Sequence, residues 1–293
     1  MKLAIIIVNY NTKEILSDCI QNLFRLNVKD TKIIVVDNDS KDGSADIVEA
    51  QFKGVELIKT ENNGLAAGYN LGLSRARDCE YCLFMGTDAF PQIGCIEGVV
   101  KFLETNQTVG VATAKMILRN GALDKDAHRG FPTPWTALCY FSRLDQYFPK
   151  SRIFNNYFLG WKDMEIPHEI DCCISHFMMV KKEVFEKIGI WDEDFFVFGE
   201  DVDFCWRVKQ AGYQIYYLPQ YACLHYKGVS IGTRKESADI TKADSTTKLR
   251  MKAETTRAMK LFYQKHMYKK YPWIVNKCIE FGISLLRKVR ASN

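Results

Sequence analysis

The sequence lacks long apolar runs, which limits how the chain relates to membranes. No run approaches the roughly 20 apolar residues that a transmembrane helix needs. The first apolar segment, Leu3–Val8, continues directly into Asn9-Tyr10-Asn11 without a small-residue cleavage site. This pattern is typical of a buried strand and not of a signal peptide. We therefore expect a cytoplasmic protein.

The sequence also lacks the glycine-rich loops of two large nucleotide-binding classes. Neither Gly-x-Gly-x-x-Gly nor a P-loop follows the first predicted strand, which disfavours a dehydrogenase or a kinase. The glycines between Gly64 and Gly72 recur at a constant spacing. That spacing suits close helix packing as well as the approach of a phosphate, so it does not decide between them.

A large charge of one sign is absent as well. The chain has 40 Lys and Arg against 35 Asp and Glu, a formal net charge of +5. Such a small excess does not indicate nucleic-acid binding, and we expect no nucleic-acid partner. The excess is local, because basic residues far outnumber acidic ones between Lys242 and Arg290.

The ten cysteines lack the spacing of a zinc site. Cys79 and Cys82 form a CxxC pair, but no second pair or HxxxH element completes it. Cys82 also falls inside the predicted strand Tyr81–Met85. We therefore expect free structural thiols, which suit a reducing compartment.

Strands and helices alternate in the first third of the chain. The 293 residues, 47% of them hydrophobic, are enough for one large α/β domain. Short apolar runs ending in polar turns, each followed by a helix, predict a mostly parallel sheet flanked by helices. The predicted strands are Leu3–Val8, Lys32–Asp37, Val55–Lys59 and Tyr81–Met85, and the predicted helices are Ile15–Phe24, Ala45–Phe52 and Ala66–Ala76.

Polar residues follow each of these four strands. They are Asn9–Thr12, Asp37–Ser40, Glu61–Gly64 and Gly86–Asp88. Helix capping explains each turn taken singly. Parallel sheets, however, bind ligands outside the carboxyl ends of their strands. We therefore expect the four turns to form one polar crevice.

The rest of the chain divides into three parts. From Gly121 to Glu169 the periodicity is weak, and we expect an irregular segment that shapes a binding pocket. Order then returns up to Gly232, and a basic helical extension follows. The last predicted helix either packs on the body or lies on anionic lipid. The predicted elements are strands Cys172–Val180, Tyr213–Leu218 and Cys223–Lys227, and helices Lys182–Ile188, Thr246–Tyr268 and Val275–Val289.

The strongest local signal is Gly199-Glu200-Asp201-Val202-Asp203, which opens a helix. The helix dipole favours acids in a first turn, which explains one or two of the three carboxylates. It does not explain the preceding aromatic run, Phe195–Phe198. Apolar walls beside a carboxylate raise its pKa and make it a better base.

Six ordered blocks of the sequence carry a family resemblance. They are IIIVNYN, VVDNDSKDGS, NNGLAAGYNLG, a strand ending before an Asp, FMMVKKEVFEKIGIWDEDFFVFGEDVDFCWRVKQAGY and LHYKG. Together they resemble the inverting family 2 glycosyltransferases of the GT-A fold, a Rossmann-like nucleotide-diphospho-sugar transferase fold. The resemblance is strongest to the bacterial rhamnosyltransferase-like branch. It implies a GT-A domain over residues 1–232, with a nucleotide-sugar half (1–120) and an acceptor half (121–232), and a helical extension over 233–293.

The resemblance implies a role for each matching residue. Asp201 would be the general base, with Glu200 beside it, and Asp88 and His225 would hold Mg²⁺ or Mn²⁺. Asp203 and Arg207 would support the loop that presents the base. Arg129 would contact the diphosphate or the acceptor, the alternative being a solvent-exposed arginine. The implied nucleotide-sugar contacts are Tyr10, Asn11, Asp37, Asn38, Asn63, Gly64, Asn70, Thr87 and Asp88.

The sequence departs from the family pattern at two positions. The Asp-x-Asp metal motif reads Gly86-Thr87-Asp88, so its first acid is missing. His176 stands where relatives commonly carry glycine. It would either line the acceptor pocket or be a buried, hydrogen-bonded histidine.

The resemblance therefore predicts transfer of a sugar from a nucleotide-diphosphate donor to a glycan or lipid-linked oligosaccharide, in bacterial surface polysaccharide synthesis. The favoured donor is dTDP-rhamnose. The alternatives are a UDP-hexose donor (galactose, glucose or N-acetylglucosamine) or a non-catalytic nucleotide-sugar-binding protein. The basic C-terminal helices would place the enzyme at the inner face of the membrane.

Overall fold

A computed structural model describes residues 2–229, 232 and 245–292 of the chain. The strands are β1 (Leu3–Asn9), β2 (Thr31–Asn38), β3 (Val55–Thr60), β4 (Tyr81–Met85), β5 (Ala89–Pro91), β6 (Val109–Leu118), β7 (His168–Ile170), β8 (Phe177–Lys181) and β9 (Gln214–His225). The helices are α1 (Lys13–Leu26), α2 (Ser44–Gln51), α3 (Leu65–Ser74), α4 (Cys95–Thr105), α5 (Pro134–Phe141), α6 (Leu144–Tyr147), α7 (Lys182–Ile188), α8 (Glu200–Gln210), α9 (Ser245–His266) and α10 (Trp273–Ser292).

The strands form one sheet in the order β3-β2-β1-β4-β8-β6-β9-β5, and β7 pairs with β9. The first four strands are parallel to one another, as predicted. Beyond β4 the sheet is mixed: β8 is antiparallel to β4 and β6, while β6 and β9 run parallel. The predicted α/β class, a sheet flanked by helices, is confirmed.

Burial explains why the N-terminal segment forms a central strand. Residues Leu3–Ile7 are buried without a polar interruption, and a sheet covered by helices on both faces requires such a run. On one face, α1 contributes Leu16, Ile20 and Leu23 at helical spacing. On the other face, Tyr69 of α3 packs against the sheet.

The two strands expected over Tyr213–Leu218 and Cys223–Lys227 are one strand, β9. Its pairing with β6 passes directly from Leu218 to Ala222, so the residues between them form an irregularity. Pro219 lies in that irregularity and has no N–H to donate to a ladder. The prediction of two separate strands was wrong because a break in pairing is not the end of a strand.

The C-terminal helices pack on the body and on each other. Phe262 and Tyr263 of α9 are buried, and Lys265 forms ion pairs with Asp192 and Asp194. The proposed boundary at residue 232 adjoins 233–244, which lie outside the described residues. None of the described helices combines the length and apolar character that crossing a membrane requires. All ten cysteines are free thiols, and only Cys278 is exposed.

Candidate functional site

The carboxyl ends of β1, β2 and β4 meet at one edge of the sheet. Asn9 lies beside Asp37 in the ladder, and its Nδ2 donates to the Asp37 carboxylate at 2.7 Å. The other Asp37 oxygen accepts from the Ser40 N–H at 2.9 Å. Asp37 is therefore buried and held in one orientation at the edge. Asn9 and Ser40 belong to the polar turns expected to form the crevice, but neither residue was predicted to have a role of its own.

The predicted nucleotide contacts differ in exposure. Tyr10 is 47% exposed, and Asn11 is also exposed with a left-handed φ of 53°. Asn38 is buried, donates from Nδ2 to the Gly64 carbonyl at 3.1 Å, and leaves Oδ1 without a partner among the described residues. Tyr10 thus presents an exposed aromatic ring, of the kind that can stack on a base.

Gly64, at the edge of the sheet, lies against the backbone of Phe196 in the segment that leads to α8. Its φ is +98°, and a Cβ there would lie 2.4 Å from the Phe196 carbonyl oxygen. The next residue, Leu65, donates its N–H to that same oxygen at 2.7 Å. Only glycine permits this approach, because it lacks a Cβ.

Asn70 lies further along α3 and contacts a different segment. Its amide donates to the Trp191 carbonyl at 3.0 Å and accepts from the Trp191 N–H at 3.0 Å. The side chain also reaches Glu193. Asn70 thereby ties α3 to the segment leading to α8, while Asn63 is exposed at the start of the helix.

Asp88 lies at the centre of a cluster with two histidines. The Nε2 atoms of His176 and His225 are each 3.7 Å from Oδ1 of Asp88. Both Asp88 oxygens and Nε2 of His225 are buried and lack a hydrogen-bond partner among the described residues. Thr87, next to Asp88, is linked through its hydroxyl to Thr12 at 3.2 Å. An unpaired buried carboxylate is costly unless a ligand completes its contacts.

Asp124 orients the later histidine of this cluster. Its carboxylate contacts Nδ1 of His225 at 2.8 Å, and Lys227 contacts the same carboxylate at 2.6 Å. Although burial opposes ionisation, the hydrogen bond to His225 and the charge of Lys227 lower the pKa of Asp124. A proton held on Nδ1 leaves Nε2 free to face Asp88. Asp124 escaped sequence reasoning because it lies in the segment expected to be irregular.

The cluster of Asp88, His176 and His225 has the donor chemistry of a divalent-cation site. One donor atom from each residue lies within 4.8 Å of the others. Asp88 and His225 were both predicted metal ligands, and the fold brings them together. His176 was expected in the acceptor pocket or in a structural role, and it lies in this cluster.

Glu200 and Asp201, the first two residues of α8, are both buried. Burial first, and the charge of Asp201 second, raise the pKa of Glu200 to about 8. Oε1 of Glu200 accepts a hydrogen bond from Ser175 at 3.2 Å. A carboxyl with its pKa raised to about 8 holds its proton at neutral pH.

Arg129 lies against Asp201, with 2.7 Å between Nη2 and Oδ2. Nη1 of the same guanidinium donates to the Tyr157 hydroxyl at 3.2 Å. Backbone hydrogen bonds to Cys172 fix Arg129 in place. Arg129 was predicted to contact the diphosphate or the acceptor. In the structure its guanidinium contacts the predicted base, Asp201.

Asp203 lies in the first turn of α8, and Arg207 lies one turn later. Arg207 donates from Nε to Asp203 at 2.8 Å and from Nη1 to the Ile188 carbonyl at 3.1 Å. His266 of α9 contacts the other Asp203 oxygen at 2.6 Å. Burial opposes ionisation of Asp203, but His266 and Arg207 lower its pKa. The contact with His266 anchors α8 to α9, and the hydrogen bond to Ile188 ties α8 to the end of α7.

Two consecutive residues, Ser175 and His176, connect the Asp88 cluster to the adjacent acids Glu200 and Asp201. Ser175 contacts Glu200, and His176 contacts Asp88. The carbonyl of Ser175 also accepts from the hydroxyl of buried Tyr69 at 3.3 Å. The sequence gives no signal for Ser175, because its role depends on a tertiary contact with α8.

A family model described as Glycosyl transferase family 2 matches residues 4–189. The rhamnosyltransferase WbbL of Escherichia coli (strain K12) is 23% identical over 236 residues, covering 76% of this chain and 82% of that protein. The same comparison finds a poly-beta-1,6-N-acetyl-D-glucosamine synthase of Staphylococcus epidermidis, 22% identical over 73% of this chain and 47% of its own length.

Solved glycosyltransferases share the fold. GalNAc-T7, solved with UDP, GalNAc and Mn²⁺, gives a TM-score of 0.56 at 13% identity, covering 92% of this chain and 57% of that one. The mannosyltransferase PcManGT of Pyrobaculum calidifontis, in complex with GDP-Man and Mn²⁺, gives 0.55 at 17% identity, covering 88% and 62%. This chain thus spans about three fifths of each solved structure. The predicted GT-A fold is confirmed.

Proposed function

Because the chain belongs to glycosyl transferase family 2, we propose that it is an inverting glycosyltransferase acting on a nucleotide-diphosphate sugar. The acceptor is a hydroxyl of a glycan or lipid-linked oligosaccharide in surface polysaccharide synthesis. The similarity to WbbL supports dTDP-rhamnose as the donor. A UDP-hexose is the alternative, supported by the N-acetylglucosamine polymer synthase among the relatives.

One observation carries the proposal: the buried acid pair and the Asp88 cluster are joined through Ser175 and His176. A transferase needs a base at the acceptor and charge stabilisation at the departing diphosphate, close to each other. The link that Ser175 and His176 form between the acid pair and Asp88 supports this arrangement.

In the proposed reaction, Asp201 accepts the proton of the acceptor hydroxyl as its oxygen attacks C1 of the sugar. Attack comes from the face opposite the diphosphate, so the C1–O bond to the diphosphate breaks and the configuration inverts. Arg129 orients Asp201 through its guanidinium. Glu200 keeps its proton near neutral pH, which limits the negative charge beside the base.

Asp88 and His225 would hold a divalent cation, Mg²⁺ or Mn²⁺. Asp124 would orient the His225 ring for this role. When bound, such a cation neutralises the charge that develops on the departing diphosphate. The unpaired oxygens of Asp88 and Nε2 of His225 support this assignment. Tyr10, Asp37 and Asn38 would bind the nucleoside at the adjoining edge.

The C-terminal helix supports a membrane-surface acceptor. Ile274, Phe281, Leu285 and Val289 of α10 are all at least half exposed, and helical spacing puts them on the face opposite the α9 contact. Trp273 is 72% exposed at the helix start. We propose that this stripe rests on anionic lipid, to which the surrounding lysines and arginines are attracted.

Donor screening with Asp201→Asn tests the proposal. We expect one of dTDP-rhamnose, UDP-galactose, UDP-glucose and UDP-N-acetylglucosamine to raise the melting temperature of the wild type with Mn²⁺. The same donor should stabilise Asp201→Asn, but transfer to an acceptor should fall by about 10²- to 10⁴-fold, the usual contribution of a general base. Asp145→Asn, at a buried acid of α6, is the control. Wild-type transfer by Asp201→Asn would refute the base, and donor binding without any turnover would favour the non-catalytic alternative.

A further inference from the structure

The ring of His176 fills the space that a side chain at position 86 would occupy. A Cβ placed on Gly86 would lie 2.5 Å from Cδ2 of His176 and 2.8 Å from Oδ1 of Asp88. Both separations are shorter than a Cβ tolerates. The absence of a side chain at Gly86 is therefore what allows His176 to stand beside Asp88.

Strand pairing fixes both histidines with respect to Asp88. The antiparallel ladder of β4 and β8 pairs Met85 with Phe177, which places His176 opposite the end of β4. The ladder of β5 and β9 pairs Ala89 with His225. Asp88 lies between these two ladders, so its Oδ1 atom faces an imidazole from each. The arrangement is built into the sheet and does not depend on a free loop.

The distance from each histidine to Asp88 suits a shared ion. Two atoms bound to one ion at about 2.1 Å each are at most about 4.2 Å apart. Each histidine Nε2 is 3.7 Å from Oδ1 of Asp88. That separation is too long for a hydrogen bond between them. The atoms face one another without satisfying one another.

We propose that His176 is the third protein ligand of the divalent cation, beside Asp88 and His225, and that this ligand set selects Mn²⁺ or Co²⁺ over Mg²⁺. The proposal rests on the metal-assisted function above. Mg²⁺ prefers oxygen ligands in a nearly ideal octahedron. Imidazole nitrogens favour first-row transition metals, so two histidines beside one carboxylate move the preference in that direction.

Calorimetric titration of the full chain with MnCl₂ and MgCl₂, alone and with UDP or dTDP, tests the ligand assignment. We expect the wild type to bind Mn²⁺ at least about tenfold more tightly than Mg²⁺. His176→Ala should lose about tenfold or more in Mn²⁺ affinity, since even outer-shell partners of ligands contribute about 10- to 100-fold. The control His168→Ala removes a histidine of β7 and should bind Mn²⁺ like the wild type. Thermal melts show whether each variant is folded.

A double exchange tests the spatial argument. In His176→Gly/Gly86→Asp, the ring that a Cβ at position 86 would meet at 2.5 Å is removed, and the 2.8 Å contact with Oδ1 of Asp88 requires the Asp88 side chain to shift. We expect this variant to recover Mn²⁺ binding relative to His176→Ala and to lose the preference over Mg²⁺. The visible absorption of Co²⁺ bound to the wild type should also change in His176→Ala, because one nitrogen ligand is gone.

The outcomes separate this proposal from the function on which it rests. If Mn²⁺ and Co²⁺ bind His176→Ala as they bind the wild type while Asp88→Asn binds neither, His176 is not a ligand but the metal site stands. If the wild type binds no divalent cation even with a nucleotide, both the ligand proposal and metal assistance fail. Metal binding that depends on His176 in a chain that turns over no donor would uphold the ligand and refute the transferase.

Discussion

The guanidinium of Arg129 pairs with the carboxylate of Asp201, with 2.7 Å between Nη2 and Oδ2. The two side chains are only 13% and 10% exposed, so water screens the pair weakly. The pair joins the irregular segment after β6 to the first turn of α8. The residue proposed to accept the proton is thus held by a residue distant in sequence.

Removal of the Arg129 guanidinium should lower the free energy of unfolding more than removal of the Tyr157 hydroxyl, its second hydrogen-bond partner. Arg129→Gln leaves the buried Asp201 carboxylate unpaired, and we expect the free energy of unfolding to fall by about 3 kcal/mol or more. Tyr157→Phe removes only the 3.2 Å hydrogen bond to Nη1 and should cost about 1 kcal/mol. Urea unfolding of both variants measures the difference. Equal losses would show that the ion pair contributes nothing beyond an ordinary hydrogen bond.

Glu200 should make stability depend on pH. The pKa of Glu200 is raised to about 8. Between about pH 5 and pH 8 the native chain therefore keeps a proton on Glu200 that the unfolded chain has already released. This contribution to the free energy of unfolding is present below the ordinary glutamate pKa and is lost as the pH rises through about 8. Glu200→Gln removes the titration, so the variant should gain stability relative to the wild type as the pH rises.

Urea titrations at several pH values check this expectation. Glu186→Gln, at an exposed position on α7, is the matched control and should track the wild type. A constant difference between Glu200→Gln and the wild type across the range would contradict a raised native pKa.

The two glycines Gly64 and Gly54 separate backbone strain from close contact. Both have positive φ, +98° and +100°, but a Cβ at Gly54 meets nothing within 4 Å. We expect Gly54→Ala to cost about 1–2 kcal/mol, the price of an unfavourable φ. Gly64→Ala must also displace the Phe196 carbonyl, so it should cost more and weaken donor binding. Thermal melts with and without nucleotide measure both effects. Similar losses of stability in Gly54→Ala and Gly64→Ala would show that the close approach of Gly64 to Phe196 contributes nothing.

The exposed stripe of α10 should bind anionic vesicles. Phe281→Glu puts a charge in the middle of the stripe, and we expect it to reduce cosedimentation with anionic vesicles severalfold. Ile93→Glu changes a side chain that is 95% exposed elsewhere on the surface and serves as the control. Neutral vesicles should bind the wild type weakly. Equal binding by both variants, or none by the wild type, would remove the lipid contact.

Local patterns in the sequence predicted the short elements well. The bounds of β4 (Tyr81–Met85) and α7 (Lys182–Ile188) agree with the structure, because each is an apolar or amphipathic run between clear boundaries. The position of Asp88 at the edge of the sheet was also predictable, because Asp88 follows the clearly bounded strand β4. Parallel strands bring their carboxyl ends together.

The environments of individual site residues were not predictable from local patterns. His176 reaches Asp88 only because β8 runs antiparallel to β4, and no local pattern encodes that pairing. Asp124 escaped notice because a weakly periodic segment hides a side chain buried by tertiary contacts. The partner of Arg129 was missed likewise, since its guanidinium meets α8 across the fold.

The two ladders that flank Asp88 also bear on how the chain folds. Asp88, His176 and His225 come from widely separated stretches and meet only when β8 and β9 have joined the sheet. Such non-local contacts form late, because closing long loops costs entropy before any contact forms. A chain with only its first four strands assembled would have the Asn9–Asp37 edge but no complete cluster. Occupancy of the cluster would therefore report completion of the sheet.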